Sequence, residues 1–211
     1  MIQSPPLARL LPGIAAMAAT VVASNILVQF LLGDWLTWGA LTYPIAFLVT
    51  DLMNRAYGPK AARRVVAAGF ATGIACSLVA AAFDATTIRI AVGSGIAFLA
   101  AQLIDVSIFD RLRRGAWWRA PLASTLVGST LDTALFFSIA FAAGLNGLEP
   151  AAAPTWAQDG VPLLGWGPVL PLWVSLAIAD WGVKLALALV ALVPFRLIAA
   201  RLVASAPIEN H

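Results

Sequence analysis

The chain has 211 residues, of which 61% are hydrophobic and 11% are charged. A soluble helical domain needs charged faces on its helices, and several apolar runs here exceed the roughly 18 residues that mark a membrane-spanning helix. The formal charge of +3 does not indicate nucleic-acid binding, because the basic residues stand in short blocks between apolar runs. The composition therefore predicts an all-α integral membrane protein with the lipid bilayer, and no nucleic acid, as its partner.

Six apolar segments are long enough to cross a bilayer, and they predict a single six-helix transmembrane domain over residues 1–211. The segments are residues 10–32, 36–53, 64–83, 90–110, 121–145 and 169–195. The first segment also has features of a cleavable signal peptide, but it continues to Leu32 and carries Asn25 and Gln29. We therefore expect a retained first helix.

The basic residues predict how the chain is oriented. Eleven of the thirteen Lys and Arg residues lie in the N-terminus, in loops 54–64 and 111–120, and in the C-terminus. On the opposite side only Arg89 is basic, and Lys184 lies inside the sixth segment. Because short positively charged loops stay in the cytoplasm, we expect both termini to be cytoplasmic.

The outer loop 146–167 is rich in Pro and Gly and carries only acidic charge. It has no helical period, so two interpretations stay open: a flexible cover over the outer face, or a simple connector.

Several predicted spans carry polar or ionisable side chains, which are costly in lipid and usually functional. Asp132 lies about eleven residues into the fifth predicted segment, or roughly 16 Å along the helix at 1.5 Å per residue. This depth is close to the middle of a bilayer. Because such groups avoid lipid, we expect them to converge on an interior cavity. The candidate substrate-binding residues are the polar and aromatic side chains of these segments: Asn25, Gln29, Tyr43, Phe47, Asp51, Gln102, Asp105, Ser124, Ser129, Asp132 and Lys184.

Most of these ionisable groups also have a purely structural interpretation, whereas Asp132 has no basic residue nearby in its own helix. Asp51 could be an interfacial carboxylate held by Arg55, and Asp105 could pair with Arg111 or Arg113. Asp180 and Lys184 stand four residues apart on one helix face, so they form either a structural salt bridge or a pair that carries a coupling proton.

The same side chains restrict the ligand. Carboxylates accept paired N–H donors, amides donate and accept, and aromatic faces stack on planar rings. A planar heterocycle with a donor-donor-acceptor edge, such as a guanine-like base, fits these groups, and so do other polar ligands.

Several kinds of site are excluded. The single histidine, His211, is the last residue, so no Ser-His dyad or histidine metal site is expected. No glycine-rich phosphate loop is present, and the single cysteine, Cys76, allows no intrachain disulfide. We predict no metal, no cofactor and no catalytic residue. A hydrolase using two buried carboxylates stays open as an alternative.

Several motifs carry a family likeness: SNILVQ at 24–29, TYPIAFLVTD at 42–51, AQLID at 101–105 and WWR at 117–119. From residue 20 to residue 196 the chain resembles the queuosine precursor transporter family, also called the vitamin-uptake-transporter family. The residues that match the family's polar signature are Asn25, Asp51, Gln102, Asp105, Ser124, Asp132 and Lys184.

The resemblance implies a multi-pass protein of the bacterial inner membrane that has six helices and no enzymatic activity. It implies import of 7-deazapurines, namely 7-cyano-7-deazaguanine and in some members 7-aminomethyl-7-deazaguanine, for tRNA modification. The Gly93-Ser94-Gly95 sequence and the long outer loop depart from the family's pattern, so the outer gate stays undefined.

Three functional hypotheses follow. The first is a secondary transporter in which Asp132 or Asp51 receives the ring N–H and the exocyclic amine, while Asn25 or Gln102 binds the carbonyl. The second is the substrate-capturing membrane subunit of an ATP-driven vitamin or nucleobase importer. The third is an intramembrane enzyme. Proton coupling, substrate preference and assembly as a monomer or homo-oligomer are not determined by the sequence.

Overall fold

The computed structural model describes residues 6–205, and both chain ends and His211 lie outside this range. Within it, seven α-helices form the fold. They are α1 (Leu7–Leu27), α2 (Gly39–Thr42), α3 (Ile45–Tyr57), α4 (Pro59–Ala82), α5 (Ile88–Leu112), α6 (Arg119–Phe141) and α7 (Leu172–Ser205). Five of them, α1, α4, α5, α6 and α7, are long and apolar enough to cross a membrane. The prediction of an all-α membrane protein agrees with this architecture.

Two short antiparallel hairpins stand beside the helices. Strand β1 (Leu31–Leu32) pairs with β2 (Leu36–Thr37), and β3 (Gly160–Pro162) pairs with β4 (Val169–Pro171). In the first predicted segment, 10–32, the helix therefore ends at Leu27 and a strand follows. The last predicted segment, 169–195, begins with strand β4, and its helix continues beyond the predicted end to Ser205.

The second predicted segment, 36–53, is not one helix. It begins as strand β2, continues as the single turn of α2, and is interrupted at Tyr43 and Pro44 before α3 begins. Proline has no N–H to donate to the preceding turn, which breaks the helical hydrogen bonding at this point. Both residues keep right-handed helical dihedral angles, so α2 and α3 together form one kinked rod.

Apolar side chains join the helices in three clusters. One connects α1, α3, α4 and α5 and includes Met17, Val66 and Val106. A second holds Phe109 of α5 against Phe195 of α7, with the ring centroids 5.9 Å apart. The third packs Phe141 at the end of α6 near the outer loop. The space between these clusters, where α3, α5, α6 and α7 meet, contains the polar residues.

The outer loop is attached to the bundle. The Glu149 carboxylate accepts hydrogen bonds from the backbone N–H groups of Ile88 and Arg89 (3.3 and 2.8 Å) at the start of α5. The buried Arg89 guanidinium donates to the carbonyls of Ile139 and Ala142 (2.7 and 2.5 Å) at the end of α6. Specific hydrogen bonds thus hold the outer loop in place. Neither the flexible cover nor the simple connector considered from the sequence required such bonds.

Candidate functional site

Helices α3, α5 and α6 bring six polar side chains together in the interior of the bundle. We call this set the carboxylate cluster. Its members, all buried, are Thr50, Asp51, Gln102, Asp105, Ser124 and Thr125. Residues three or four apart in a helix share a face, and Gln102 and Asp105 are three apart on α5. The spacing therefore places amide and carboxylate next to each other, as the sequence predicts.

Direct hydrogen bonds connect the helices within this cluster. The Thr50 hydroxyl donates to Oε1 of Gln102 (2.6 Å) and joins α3 to α5. The hydroxyls of Ser124 and Thr125 donate to the two oxygens of Asp51 (3.2 and 3.3 Å) and join α6 to α3. The carboxyl groups of Asp51 and Asp105 adjoin each other. Each oxygen of Asp51 thus accepts one hydroxyl group from the neighbouring helix α6.

Four buried polar atoms near this cluster have no hydrogen-bond partner among residues 6–205. They are Nε2 of Gln102, both carboxylate oxygens of Asp105 and Oδ1 of Asn54. Leaving a buried donor or acceptor unpaired costs about 1–3 kcal/mol, and native interiors pair nearly all of them. The unpaired donor and the two unpaired acceptors on one helix face are groups that a polar ligand, a bound water or a proton shared with Asp51 would satisfy.

A second polar group lies between α6 and α7, and we call it the ion triad: Asp132, Asp180 and Lys184. The ammonium of Lys184 lies 2.7 Å from Oδ2 of Asp132 and 2.5 Å from Oδ2 of Asp180. It also donates to the Thr133 hydroxyl (3.1 Å), which in turn donates to Asp180 (2.9 Å). The Tyr43 ring centroid is 5.6 Å from the ammonium. The predicted pairing of Asp180 with Lys184 is present, and Asp132 joins it from α6.

The arginines of the two basic loops do not contact the buried carboxylates. Arg55 donates to the carbonyl of Arg113 (2.5 Å), and Arg113 donates back to the carbonyl of Arg55 (3.3 Å). Arg113 also forms an ion pair with Asp110 at 3.3 Å. Among residues 6–205 no ion pair joins Asp51 to Arg55, or Asp105 to Arg111 or Arg113, so these interpretations are wrong.

The structure places the other predicted binding residues as follows. Phe47 is buried beside the carboxylate cluster, and Ser129 is buried with its hydroxyl bonded to the carbonyl of Leu126 in its own helix (3.2 Å). Asn25 donates to the carbonyl of Val21 (2.9 Å). With Tyr43 it lines a narrow groove between α1, α4 and α5 that is otherwise mainly apolar.

Asn25 and Gln29 are four residues apart, a spacing that predicts both amides on one face of the first helix, and this prediction is wrong. Helix α1 ends at Leu27, so Gln29 lies in the following turn, where its side chain is exposed. The predicted set is therefore divided among a groove, the carboxylate cluster with the adjoining Phe47, and the ion triad, and Gln29 and Ser129 belong to none of them.

Thr50 and Thr125 hold the carboxylate cluster together but were not among the predicted candidates. Each stands directly beside another polar residue of its helix, Asp51 and Ser124 respectively. A threonine next to a second polar residue within an apolar span is the signal that would have identified them. Within residues 6–205, no three His, Cys, Asp or Glu side chains come together as a metal site.

Comparison with known proteins gives the following matches. Residues 37–199 match the family model described as "Putative vitamin uptake transporter". The "Probable queuosine precursor transporter" of Haemophilus influenzae is 38% identical over 140 residues, which cover 59% of this chain and 58% of that protein. The "Queuosine precursor transporter" of Escherichia coli is 39% identical over 140 residues, covering 57% and 63%.

A third relative, the "Probable queuosine precursor transporter" of Bacillus subtilis, is 32% identical over 148 residues, covering 58% of this chain and 65% of that protein. The chain thus spans less than two thirds of the length of these three relatives. No solved structure matches the chain.

Proposed function

The chain belongs to the vitamin uptake transporter family, and on that premise we propose that it imports a queuosine precursor into the cell. The observation that carries the proposal is that three similar proteins are named as queuosine precursor transporters or probable ones. The family is one of transporters and not of enzymes. With five helices of membrane-spanning length, the chain is a multi-pass protein of the bacterial inner membrane.

We propose 7-cyano-7-deazaguanine as substrate, with 7-aminomethyl-7-deazaguanine as a second candidate. Both carry a guanine-like edge, and the carboxylate cluster offers the buried carboxylate and amide groups that such an edge needs. An apolar or purely anionic vitamin would leave these groups unpaired, which binding does not favour.

We further propose six membrane crossings with both termini in the cytoplasm, in a single domain. The sixth crossing is the kinked rod formed by α2 and α3, which extends from Gly39 to Tyr57. Nineteen helical residues are about 28 Å long at 1.5 Å per residue, close to the roughly 30 Å of a bilayer's hydrocarbon core. The charge asymmetry of the loops supports this orientation.

We assign coupling to the ion triad. Its two carboxylates and one ammonium sum to one net negative charge, so that binding one proton would make the group neutral. A buried group that changes between charged and neutral fits a transporter that exchanges a proton with its cargo. If uptake stays the same when a pH gradient is imposed across vesicles containing the chain, this assignment is wrong.

The proposed function is tested in bacteria that can neither make nor import queuosine precursors. Cells expressing the chain are supplied with 7-cyano-7-deazaguanine, and queuosine in their tRNA is measured by mass spectrometry. We expect queuosine to appear only in cells that express the chain. Its absence, with the protein present in the membrane fraction, would refute the function.

A further inference from the structure

We infer that Gln102 and Asp105 form the recognition edge for the base, and that they select a ring with a 6-carbonyl, an N1–H and a 2-amino group. This inference rests on the proposed function and specifies which residues of the carboxylate cluster read the substrate. The hypothesis drawn from the sequence was different: there Asp132 or Asp51 accepts hydrogen bonds from the ring N–H and the exocyclic amine.

Asp105 is the candidate because the other interior carboxylates already have partners within the protein. Both oxygens of Asp51 accept hydroxyl groups of α6, and Asp132 and Asp180 are bound to Lys184. Asp105 is completely buried beside the Asp51 carboxyl and the Ser124 hydroxyl, but none of the hydrogen bonds among residues 6–205 ends on either of its oxygens. Asp105 is thus the carboxylate of this cluster that is not hydrogen-bonded to a neighbouring helix, and a ligand would compete with Asp51 and Ser124 for its two acceptors.

Gln102 supplies the matching donor. Its Oε1 accepts the Thr50 hydroxyl at 2.6 Å, which fixes the orientation of the amide and leaves Nε2 unpaired. Since Gln102 stands one turn before Asp105, the two side chains lie on one face of α5. Together they present one donor and two acceptors.

This pattern is complementary to one edge of a guanine-like base. The 6-carbonyl accepts from Nε2 of Gln102, while N1–H and the 2-amino group donate to the two oxygens of Asp105. An adenine-like base lacks the N1–H, and a 2-oxo base would place a carbonyl against a carboxylate oxygen. Gln102 and Asp105 would therefore favour a guanine-like base over an adenine-like base by hydrogen bonding, and over a 2-oxo base by repulsion between oxygens.

An aromatic surface lies beside this edge. A Cβ added at Gly128 of α6 would stand 2.8 Å from Cε1 of Phe47 and 3.4 Å from Cβ of Asp105. Phe47 and Asp105 therefore both adjoin the same glycine, and the Phe47 ring, which is buried here, would stack on a base bound at this edge. Because these side chains are enclosed here, binding requires a conformation in which this interior is open.

The test is a change of specificity. The full-length chain, purified in detergent, is titrated with 7-cyano-7-deazaguanine and with its 2-oxo counterpart, 7-cyano-7-deazaxanthine, and affinity is measured by calorimetry. In Asp105→Asn, one acceptor becomes a donor that suits the 2-oxo group. We expect roughly 5- to 150-fold weaker binding of the 2-amino compound, the range of a bidentate base contact, and tighter binding of the 2-oxo compound than in the wild type.

The matched control is Asp84→Asn, which changes an exposed carboxylate just after α4. Asp84 has a φ of 55°, a conformation that asparagine tolerates well. We expect this variant to bind both compounds as the wild type does.

The outcomes separate the two proposals. Wild-type protein that binds neither compound would refute the proposed function. Wild-type protein that binds the 2-amino compound, with Asp105→Asn unchanged or weakened equally for both compounds, would refute the recognition edge alone. If Asp105→Asn does not fold, the same titrations are made with Gln102→Glu. This variant keeps an oxygen that accepts the Thr50 hydroxyl and replaces the Nε2 donor with a second oxygen. We expect it to lose affinity for the 2-amino compound by a similar factor, and unchanged affinity would overturn the inference.

Discussion

Lys184 holds two carboxylates from two helices inside the bundle. Its ammonium contacts Asp132 of α6 and Asp180 of its own helix, and each of the three side chains is mostly buried. A buried ion pair is expensive to form, but removing one partner is worse because it leaves a charge without compensation. We therefore expect the loss of Lys184 to destabilise the interior strongly.

We expect Lys184→Met to lower the free energy of unfolding by about 3–5 kcal/mol, since two buried carboxylates would lose their counter-charge. The measurement is thermal unfolding of the purified protein in detergent. Lys60→Met is the control, because Lys60 is exposed near the start of α4 and should change stability little. Equal stability of the two variants would show that the ion triad does not hold α6 against α7.

At the scale of the helices, five of the six predicted spans correspond to helices of membrane-spanning length, while the breaks were predicted poorly. Long apolar runs define a helix because its length matches a bilayer. The break at Pro44 and the end of α1 at Leu27 depend on local hydrogen bonding. A hydropathy pattern contains no information about such bonds. The junction of α3 and α4 likewise depends on one residue, Gly58, which has a φ of 81° and a ψ of 175°.

We expect Gly58→Ala to cost about 1–3 kcal/mol, because this backbone conformation is essentially restricted to glycine. The space beside Gly58 is adequate, since a Cβ there would lie 3.7 Å from Nη1 of Arg113. The cost would thus come from the backbone and not from a clash. Gly182→Ala in α7, where a Cβ meets nothing within 4 Å, is the control and should be neutral or stabilising. Similar melting temperatures for both variants would contradict this explanation.

Arg89 connects the outer ends of α5 and α6. Its guanidinium binds Ile139, Ala142 and Asn146 through three different nitrogens. Lysine has one nitrogen and cannot reproduce this fork.

We expect Arg89→Lys to increase hydrogen exchange over residues 139–149, as each charge-assisted bond lost lowers the opening free energy by about 1.5–3 kcal/mol. Arg114→Lys, an exposed arginine between α5 and α6, serves as control. Exchange unchanged in Arg89→Lys would mean that the outer loop is held by other contacts.

At the scale of the whole molecule, the sequence indicated which residues are buried but not how they pair. The cost of a charge in lipid predicts that Asp51, Asp105, Asp132 and Lys184 face inward, and all four are buried. Which of them meet depends on the rotation and spacing of separate helices, and that information is absent from the pattern along one helix. The partner of Asp132 and the unpaired state of Asp105 therefore became visible only in three dimensions.

The proposed topology predicts which loops face which side. In a Cys76→Ala background, single cysteines at Lys60 and Arg114 should react with a membrane-impermeant thiol reagent only after the membrane is opened. A cysteine at Trp166, which is 87% exposed in the outer loop, should react in intact cells. Labelling of Lys60→Cys from outside would contradict the proposed orientation, in which this loop is cytoplasmic.

The most direct test of the account is transport by the purified chain alone. Liposomes containing only this protein, with a pH gradient imposed across the membrane, are incubated with radiolabelled 7-cyano-7-deazaguanine without nucleotide or any other protein, and the label retained inside is compared with that of protein-free liposomes. We predict accumulation that depends on the protein and is competed by unlabelled 7-cyano-7-deazaguanine. Folded protein that retains no more label than empty liposomes would contradict transport by this chain on its own, and would favour a capture subunit that depends on an ATP-driven partner.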